Sequence, residues 1–171
     1  MKQVIAFDLD GTLAESKSAL DDRMAELLNK LLDNFQVCVI SGGKFEQFQK
    51  QLLGNLKASP AKMEKLHLMP TCGTRYYTFD IVKGDWQQVY AEDFSTSERD
   101  KIVKALEEGV DALGYREKKP WGKLVEDRGS QVTFSALGQE APVDAKEAWD
   151  PDNSKKLKLR NKVAELIPEF E

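Results

Sequence analysis

The sequence Asp8-Leu9-Asp10-Gly11-Thr12-Leu13 decides the fold, and it directly follows the apolar run Val4–Phe7. The run predicts a short buried strand, so two carboxylates stand where this strand passes into a loop. Carboxylates beside an apolar strand are costly without a partner. A hard cation such as Mg²⁺, which bridges to substrate phosphate, is the expected partner, and an aspartate can itself carry a phosphoryl group. The alternative is an ordinary acidic turn in which Gly11 supplies a positive φ.

Composition and charge limit the possible classes of protein. The chain has 171 residues, 41% of them apolar, and a net charge of −4. That length suits one ordinary domain or two small ones, and the missing basic footprint argues against a nucleic-acid partner. No stretch approaches the ~20 apolar residues of a membrane span, no signal peptide precedes the first strand, and Cys38 and Cys72 make no disulfide framework. We therefore expect a soluble, cytoplasmic protein without a membrane partner.

Strands and helices alternate in the first part of the sequence. Apolar runs predict strands at Val4–Phe7, Phe35–Ile40 and Leu66–Met69. Apolar residues at helical spacing predict one helix after each of the first two strands; their stripes are Leu20, Met24, Leu27, Leu28, Leu31 and Leu32, and then Phe45, Phe48 and Leu52. This order predicts an α/β fold with a parallel, right-handed sheet of the Rossmann type, buried on both faces.

The second part of the sequence has a different character. Hairpins are predicted at Tyr76–Tyr90, around Gly84, and at Leu124–Ala136, around Arg128-Gly129-Ser130. A helix with a capping box at Ser95 lies between them and ends at Gly114, and a last helix carries Leu159, Val163, Leu166 and Ile167. We therefore divide the chain into an α/β core, residues 1–80, and an α+β module, residues 81–171.

A second polar stretch, Ser41-Gly42-Gly43, follows the second predicted strand. Ligands of parallel α/β sheets bind beyond the carboxyl ends of the strands, so this stretch and the Asp8–Asp10 loop can share one crevice. Ser41 offers a hydroxyl group, and Gly42 and Gly43 expose backbone N–H groups where a helix begins, an arrangement that suits phosphate. Taken alone, Ser-Gly-Gly is more often an ordinary turn than a binding site.

Asp8–Thr12 resembles motif I of the haloacid dehalogenase superfamily, Asp-x-Asp-Gly-Thr, and Ser41 resembles its motif II, a Ser or Thr after the second strand. The resemblance implies that Asp8 is the nucleophile and Asp10 the general acid and base, with both as ligands of Mg²⁺. It also implies that Thr12 holds Asp10, and that Thr12, Ser41, Gly42 and Gly43 contribute to binding of the substrate phosphate. An ordinary threonine at a strand exit explains Thr12 equally well.

The rest of the chain resembles the branch of this superfamily with a large α+β cap, that of the Cof-type sugar phosphatases and the phosphomannomutases. Val125–Ser130 and Thr133–Gln139 resemble cap strands of the mutases, and Asp150–Lys156 resembles the start of their last cap helix. Arg128 is then the clearest phosphate ligand of the cap, the alternative being a solvated hairpin arginine. Gln139 stands where the mutases have an arginine, which weakens the mutase interpretation.

The sequence stops at Glu171 before any counterpart of the family's motif III lysine and motif IV acidic pair, and no Gly-Asp-x-x-x-Asp segment occurs in it. The resemblance therefore implies a core that is incomplete on its C-terminal side, with an unpaired sheet edge. We expect a fragment of a longer protein that is weakly active or inactive alone. We also expect the open edge or the cap to allow a homodimer.

Together these features predict a Mg²⁺-dependent phosphomonoester hydrolase that acts on a small phosphorylated metabolite, such as a sugar phosphate, through an aspartyl-phosphate. A phosphohexomutase with the same nucleophile is the alternative among enzymes. A non-catalytic module that binds phosphate or a partner is the alternative from another class.

Overall fold

The computed structural model describes residues 4–170, so residues 1–3 and Glu171 lie outside the described part. The chain divides into two compact units, of which the first ends at Glu92 and the second begins at Asp93. No helix in the described part is long and apolar enough to cross a bilayer.

The first unit alternates strands and helices, as predicted. Its strands are β1 (Val4–Asp8), β2 (Gln36–Ile40), β3 (Leu66–Met69), β4 (Arg75–Asp80) and β5 (Asp85–Ala91). Its helices are α1 (Asp22–Asn34), α2 (Phe45–Phe48), α3 (Gly54–Leu56) and α4 (Pro60–Met63). A π-helical turn at Gln49–Leu53 joins α2 to α3, and a 3₁₀ turn at Thr71–Gly73 follows β3.

All five strands form one sheet in the order β1-β2-β3-β4-β5. The pairs β1–β2 and β2–β3 are parallel, as predicted, whereas β3–β4 and β4–β5 are antiparallel. The predicted parallel sheet of three strands and the predicted hairpin are therefore confirmed, and the structure adds that the hairpin β4–β5 continues the ladder of β3. The boundary that we predict after residue 80 falls inside this hairpin, and the division after Glu92 keeps the hairpin with the sheet.

The helices of this unit pack on one face of the sheet. Alternate residues of β2 and β3 point to that face and are 0% exposed; they are Val37, Val39, Leu66 and Leu68. They share a core with Leu28 and Leu32 of α1 and with Phe48 and Leu52 of the segment from α2 to α3. The opposite face is open at β1, where Val4 is 53% exposed, so the expectation of burial on both faces is wrong there. In the described chain β1 pairs with β2 alone, and the predicted open edge is present.

His67 lies on the face of the sheet opposite to these helices. Its Nδ1 atom lies 2.7 Å from the Tyr76 hydroxyl oxygen, and its Nε2 atom lies 3.0 Å from Oε1 of Gln36. A neutral ring with its proton on Nε2 satisfies both contacts, donating to Gln36 and accepting from Tyr76. Burial lowers the pKa of His67 because it disfavours the charged ring. His67 therefore has the structural role that its place in β3 indicates.

His67 is the sole histidine of the sequence, which makes its titration directly measurable. We expect its pKa below the ordinary value of about 6.5. The unfolded chain then binds the proton more tightly, so the free energy of unfolding falls as pH drops through the ordinary pKa toward the lower folded pKa. Ring resonances in NMR and urea unfolding between about pH 8 and pH 5 measure the two effects. His67→Gln should remove the histidine part of the pH dependence, and a ring pKa at or above the ordinary value would contradict this account.

The second unit combines helices with a short hairpin. Its elements are α5 (Thr96–Ala112), β6 (Val125–Asp127), β7 (Val132–Phe134), α6 (Val143–Trp149) and α7 (Ser154–Leu166). The strands β6 and β7 form the predicted antiparallel pair. The predicted capping box is also present, since the Ser95 hydroxyl accepts from the Glu98 N–H and the Glu98 carboxylate accepts from the Ser95 N–H. Helix α6, seven residues long, is an addition to the predicted elements.

Helices α5 and α7 pack closely at Gly109. A β-carbon on Gly109 would lie 3.1 Å from Cδ1 of Leu159 and 3.4 Å from Cγ2 of Val163. The missing side chain therefore allows the two helices to approach each other.

We expect Gly109→Val to lower the free energy of unfolding of this unit by about 1–3 kcal/mol, because extra methyl groups overfill the contact with α7. Glu108→Val is the matched control, since Glu108 is the exposed neighbour on the same helix. Urea unfolding monitored by circular dichroism measures both variants. Helix propensity alone would slightly stabilise Gly109→Val and slightly destabilise Glu108→Val, so an unchanged or higher stability of Gly109→Val would contradict overfilling of the contact with α7.

Candidate active site

The strands β1 and β2 bring the two predicted motifs to the same end of the sheet. In their parallel register Asp8 lies opposite Ile40, and Ser41 follows Ile40 directly. Asp8 and Ser41 thus stand at the carboxyl ends of adjacent parallel strands, as the sequence predicts.

A buried leucine anchors the loop that carries Asp10. Leu9 is 0% exposed, and its carbonyl accepts the N–H groups of Leu13 and Ala14, both at 3.0 Å. Gly11 has a φ of 77°, a conformation that glycine adopts without strain, and its N–H donates to the Ala14 carbonyl at 2.7 Å. The result is a compact turn that presents two carboxylates, one on each side of Leu9.

The carboxylate of Asp8 is exposed. Its Oδ1 atom accepts the N–H of Leu9 at 2.7 Å, and this is the one hydrogen bond of that carboxylate within residues 4–170. An exposed carboxylate with an oxygen that meets no protein donor is available to a substrate or a metal ion.

The carboxylate of Asp10 is held by donors on both oxygens. Oδ1 accepts the Lys17 N–H at 2.9 Å and Nε2 of Gln51 at 3.1 Å, and Oδ2 accepts Nε2 of Gln47 at 3.2 Å. The expectation that Thr12 holds Asp10 is wrong, because the turn leaves Thr12 exposed and the described contacts of Asp10 come from these other residues. Gln47 and Gln51 are thus site residues that sequence reasoning missed, although their spacing of four on a helix places them on one face.

The Ser41-Gly42-Gly43 loop is tied to the chain that follows β3. Ser41 N–H donates to the Met69 carbonyl at 3.3 Å, the Cys72 N–H donates to the Ser41 carbonyl at 2.9 Å, and the Thr71 N–H donates to the Gly43 carbonyl at 2.9 Å. Ser41 is 7% exposed, and its hydroxyl has no hydrogen-bond partner in the described part of the chain. A nearly buried hydroxyl with unused capacity is suited to a ligand that enters from the carboxyl end of the strands.

The segment after β3 has an unusual backbone. Thr71 and Cys72 have φ values of 51° and 57°, in the left-handed region that residues with a β-carbon rarely adopt. Cys72 is exposed, while Cys38 is buried, and both are outside disulfides. The Sγ atom of Cys72 would lie 3.7 Å from a β-carbon on Gly42, so the thiol stands beside the predicted phosphate loop.

Arg128 lies in the second unit, directly after β6. Its Nε and Nη2 atoms donate to Oε2 of Glu126 at 3.0 and 2.9 Å, and its side chain is 16% exposed. Arg128 is therefore an ion-paired, mostly buried side chain and not the solvated arginine that is its alternative explanation.

The donor chemistry of the first unit fits Mg²⁺ as an ion shared with a substrate. Asp8 and Asp10 supply hard oxygen donors, and Mg²⁺ in proteins is commonly bound by one or two carboxylates together with substrate phosphate and water. Within residues 4–170 no group of three or more His, Cys, Asp or Glu side chains could enclose a metal ion. The Asp8 carboxylate and the Asp10 carbonyl oxygen would thus be a partial ligand set that a phosphate group can complete.

Residues 5–165 match the sequence pattern of the haloacid dehalogenase-like hydrolases. The chain belongs to this hydrolase family. The resemblance carried by motifs I and II is thereby confirmed, and it extends through both units. No curated protein matches the sequence of this haloacid dehalogenase-like hydrolase.

Solved structures share the fold of this haloacid dehalogenase-like hydrolase. The ATP-bound IMP-nucleotidase of Plasmodium falciparum has a TM-score of 0.68 and 13% identity, with coverage of 98% of this chain and 41% of that chain. The C-terminal domain of C. albicans trehalose-6-phosphate phosphatase has a TM-score of 0.60 and 18% identity, with coverage of 98% and 51%. A Bacteroides thetaiotaomicron haloacid dehalogenase-like hydrolase has a TM-score of 0.50 and 17% identity, with coverage of 87% and 48%. The chain thus spans about half the length of these structures.

Alkylation of Cys72 gives a test of anion binding at the Ser41–Gly43 loop. Iodoacetamide should modify Cys72 before Cys38, because Cys72 is exposed and Cys38 is buried. Inorganic phosphate with Mg²⁺ should slow this reaction severalfold, since phosphate on the loop would cover the thiol beside Gly42. Mass spectrometry of the modified peptide measures the rate, with sodium chloride at equal ionic strength as the control. Ser41→Ala should weaken the protection. An alkylation rate that phosphate leaves unchanged would contradict the binding of phosphate at the Ser41–Gly43 loop.

Proposed function

We propose that the first unit carries the nucleophile of a Mg²⁺-dependent phosphomonoesterase that hydrolyses a small phosphorylated metabolite through an aspartyl-phosphate. The observation that carries the proposal is the pair of strand ends at which the exposed Asp8 carboxylate stands next to the Ser41 loop. Asp10, held through both oxygens on the other side of Leu9, provides the second carboxyl group that this chemistry needs.

In the first step, an oxygen of Asp8 attacks the phosphorus atom of the substrate. A bond forms between Asp8 and phosphorus, and the bond from phosphorus to the ester oxygen breaks. The electron pair of the broken bond stays on the ester oxygen, which takes a proton from the carboxyl group of Asp10. The products are the free alcohol and an aspartyl-phosphate on Asp8.

In the second step, a water molecule attacks the phosphorus atom of the aspartyl-phosphate. The Asp10 carboxylate takes a proton from this water, and the bond between Asp8 and phosphorus breaks with its electrons on Asp8. Inorganic phosphate leaves, and both carboxyl groups return to their starting states. Asp10 therefore acts first as a general acid and then as a general base.

Both steps also require stabilisation of the negative charge on the phosphate oxygens. Mg²⁺ bound by Asp8 and Asp10 would supply positive charge against the phosphate oxygens. The Ser41 hydroxyl and the N–H groups of Gly42 and Gly43 would donate to the oxygens that keep their charge through the transition state.

We assign substrate selection to the second unit, as an α+β cap. The family pattern that reaches residue 165 supports this role, and Arg128 would supply paired donors to a phosphate group by exchanging its Glu126 partner for the substrate. Gln139 offers a neutral amide where a mutase would present an arginine, which favours hydrolysis over phosphoryl transfer between sugar positions. The names of two relatives of the same fold, an IMP-nucleotidase and a trehalose-6-phosphate phosphatase, are consistent with a small phosphate ester as substrate.

The proposal is tested by Asp8→Asn, which keeps the side-chain volume and removes the attacking oxygen anion. We expect the 171-residue chain to hydrolyse p-nitrophenyl phosphate in Mg²⁺ at less than about 1 s⁻¹, and Asp8→Asn to lower that rate by ~10³-fold or more. Phosphate release measures the rate. Asp22→Asn, an exposed aspartate of α1, is the control for the loss of one charge. Turnover that survives in Asp8→Asn would mean that another residue attacks.

A further inference from the structure

The Asp10 carboxylate is bound by two amide groups from a distant part of the chain. Gln47 reaches Oδ2 and Gln51 reaches Oδ1, at 3.2 and 3.1 Å. A carboxylate with donors on both oxygens cannot rotate about its Cβ–Cγ bond without losing a hydrogen bond. The two glutamines therefore fix the plane of the carboxylate as well as its position.

The two glutamines are also bound to each other. Nε2 of Gln47 donates to Oε1 of Gln51, and Nε2 of Gln51 donates to the Ser18 carbonyl at 2.9 Å. Gln51 is 4% exposed. The Asp10 carboxylate and the Ser18 carbonyl are acceptors only, so the Gln51 nitrogen must face them and its oxygen must face Gln47. The network thus has one consistent orientation for each amide.

The backbone of the segment from α2 to α3 accommodates this contact. Gln51 lies in the π-helical turn Gln49–Leu53, a local widening of the helix that recurs at functional sites. A β-carbon on Gly43 would collide with the amide group of Gln47. Gly43 therefore leaves the space through which Gln47 reaches Asp10.

We propose that Gln47 and Gln51 are positioning residues that hold the Asp10 carboxyl group in the orientation from which it exchanges protons with the ester oxygen and with water. This inference rests on the proposed role of Asp10 as general acid and base. The two amides contact Asp10 and act through it, and they add no net charge beside it.

A purely structural role of Gln51 must be distinguished from the positioning of Asp10. Gln51 also donates to the Ser18 carbonyl, and this hydrogen bond fastens the loop between Asp10 and Leu20 to the segment from α2 to α3. Asn55 provides the matched control. Its Nδ2 atom donates to the Leu20 carbonyl at 2.8 Å, so it fastens the same loop from the same helical segment without a hydrogen bond to Asp10. Asn55→Leu should therefore loosen the attachment of this loop but leave the Asp10 carboxylate in its position.

The first measurement is hydrogen exchange of the Lys17 amide, which donates to Oδ1 of Asp10. It reports on the Asp10 carboxylate whether or not the chain turns over a substrate. We expect Gln51→Leu, and independently the half-buried Gln47→Leu, to speed this exchange about tenfold, as the loss of a hydrogen bond to a charged group would. Asn55→Leu should leave it within a factor of two or so of the parent. An unchanged rate in both glutamine variants, or an equal change in Asn55→Leu, would overturn the proposal.

The second measurement compares two phosphate esters. A general acid matters most for a poor leaving group, so misplacing Asp10 should lower kcat/KM for glycerol 3-phosphate by ~10–10²-fold. It should affect p-nitrophenyl phosphate, whose leaving group needs little protonation, much less. Equal losses for both esters would show a merely structural role. Turnover that survives Asp8→Asn counts against the proposed function, while Lys17 exchange decides whether the glutamines hold Asp10 even where no turnover is measured.

Discussion

The hydrogen-bonded register between β1 and β2 is the constraint on which the site depends. Asp8 lies opposite Ile40, so Ser41 emerges at the same edge of the sheet. A slip of one residue would reverse the face of every side chain in a strand. The register is fixed because Val37 and Val39 are both 0% exposed under the helices, and a slip would expose them. The packing of the core therefore determines where the polar residues meet.

The helical segment from α2 to α3 links that core to the acid. Phe48, Leu52 and Leu56 are 0% exposed and pack under the sheet, while Gln47 and Gln51 point to Asp10 from the same segment. Apolar burial is insensitive to small rotations of a side chain, whereas hydrogen bonds to a carboxylate are directional. Burial thus sets the segment in place, and the amides use that fixed position to orient Asp10.

Local signals predicted the elements of this chain, and non-local pairing accounts for what they missed. The apolar runs of β1 to β3 and the capping box at Ser95 are short-range patterns, and the structure confirms them. The attachment of β4 to β3 depends on partners outside the hairpin, such as Phe45, which stacks on Tyr77 with ring centroids 4.1 Å apart. The contacts of Gln47 and Gln51 with Asp10 likewise join residues about forty positions apart. Spacing shows that the two amides share a helix face, but only the fold decides which carboxylate they meet.

The backbone at Thr71 and Cys72 has a consequence for how this protein can evolve. Left-handed φ values in residues other than glycine cost of order 1–3 kcal/mol each, and they persist here because Thr71 is 1% exposed and its hydroxyl donates to the Pro70 carbonyl at 2.7 Å. Replacement of the exposed Cys72 by glycine or asparagine would release the strain at that position. The folded chain is therefore less stable than it would be without the strained backbone next to the Ser41 loop. A lineage that no longer needed a rigid loop could gain this stability through a single substitution at Cys72. The residue at this position in relatives would therefore indicate whether the site is still under selection.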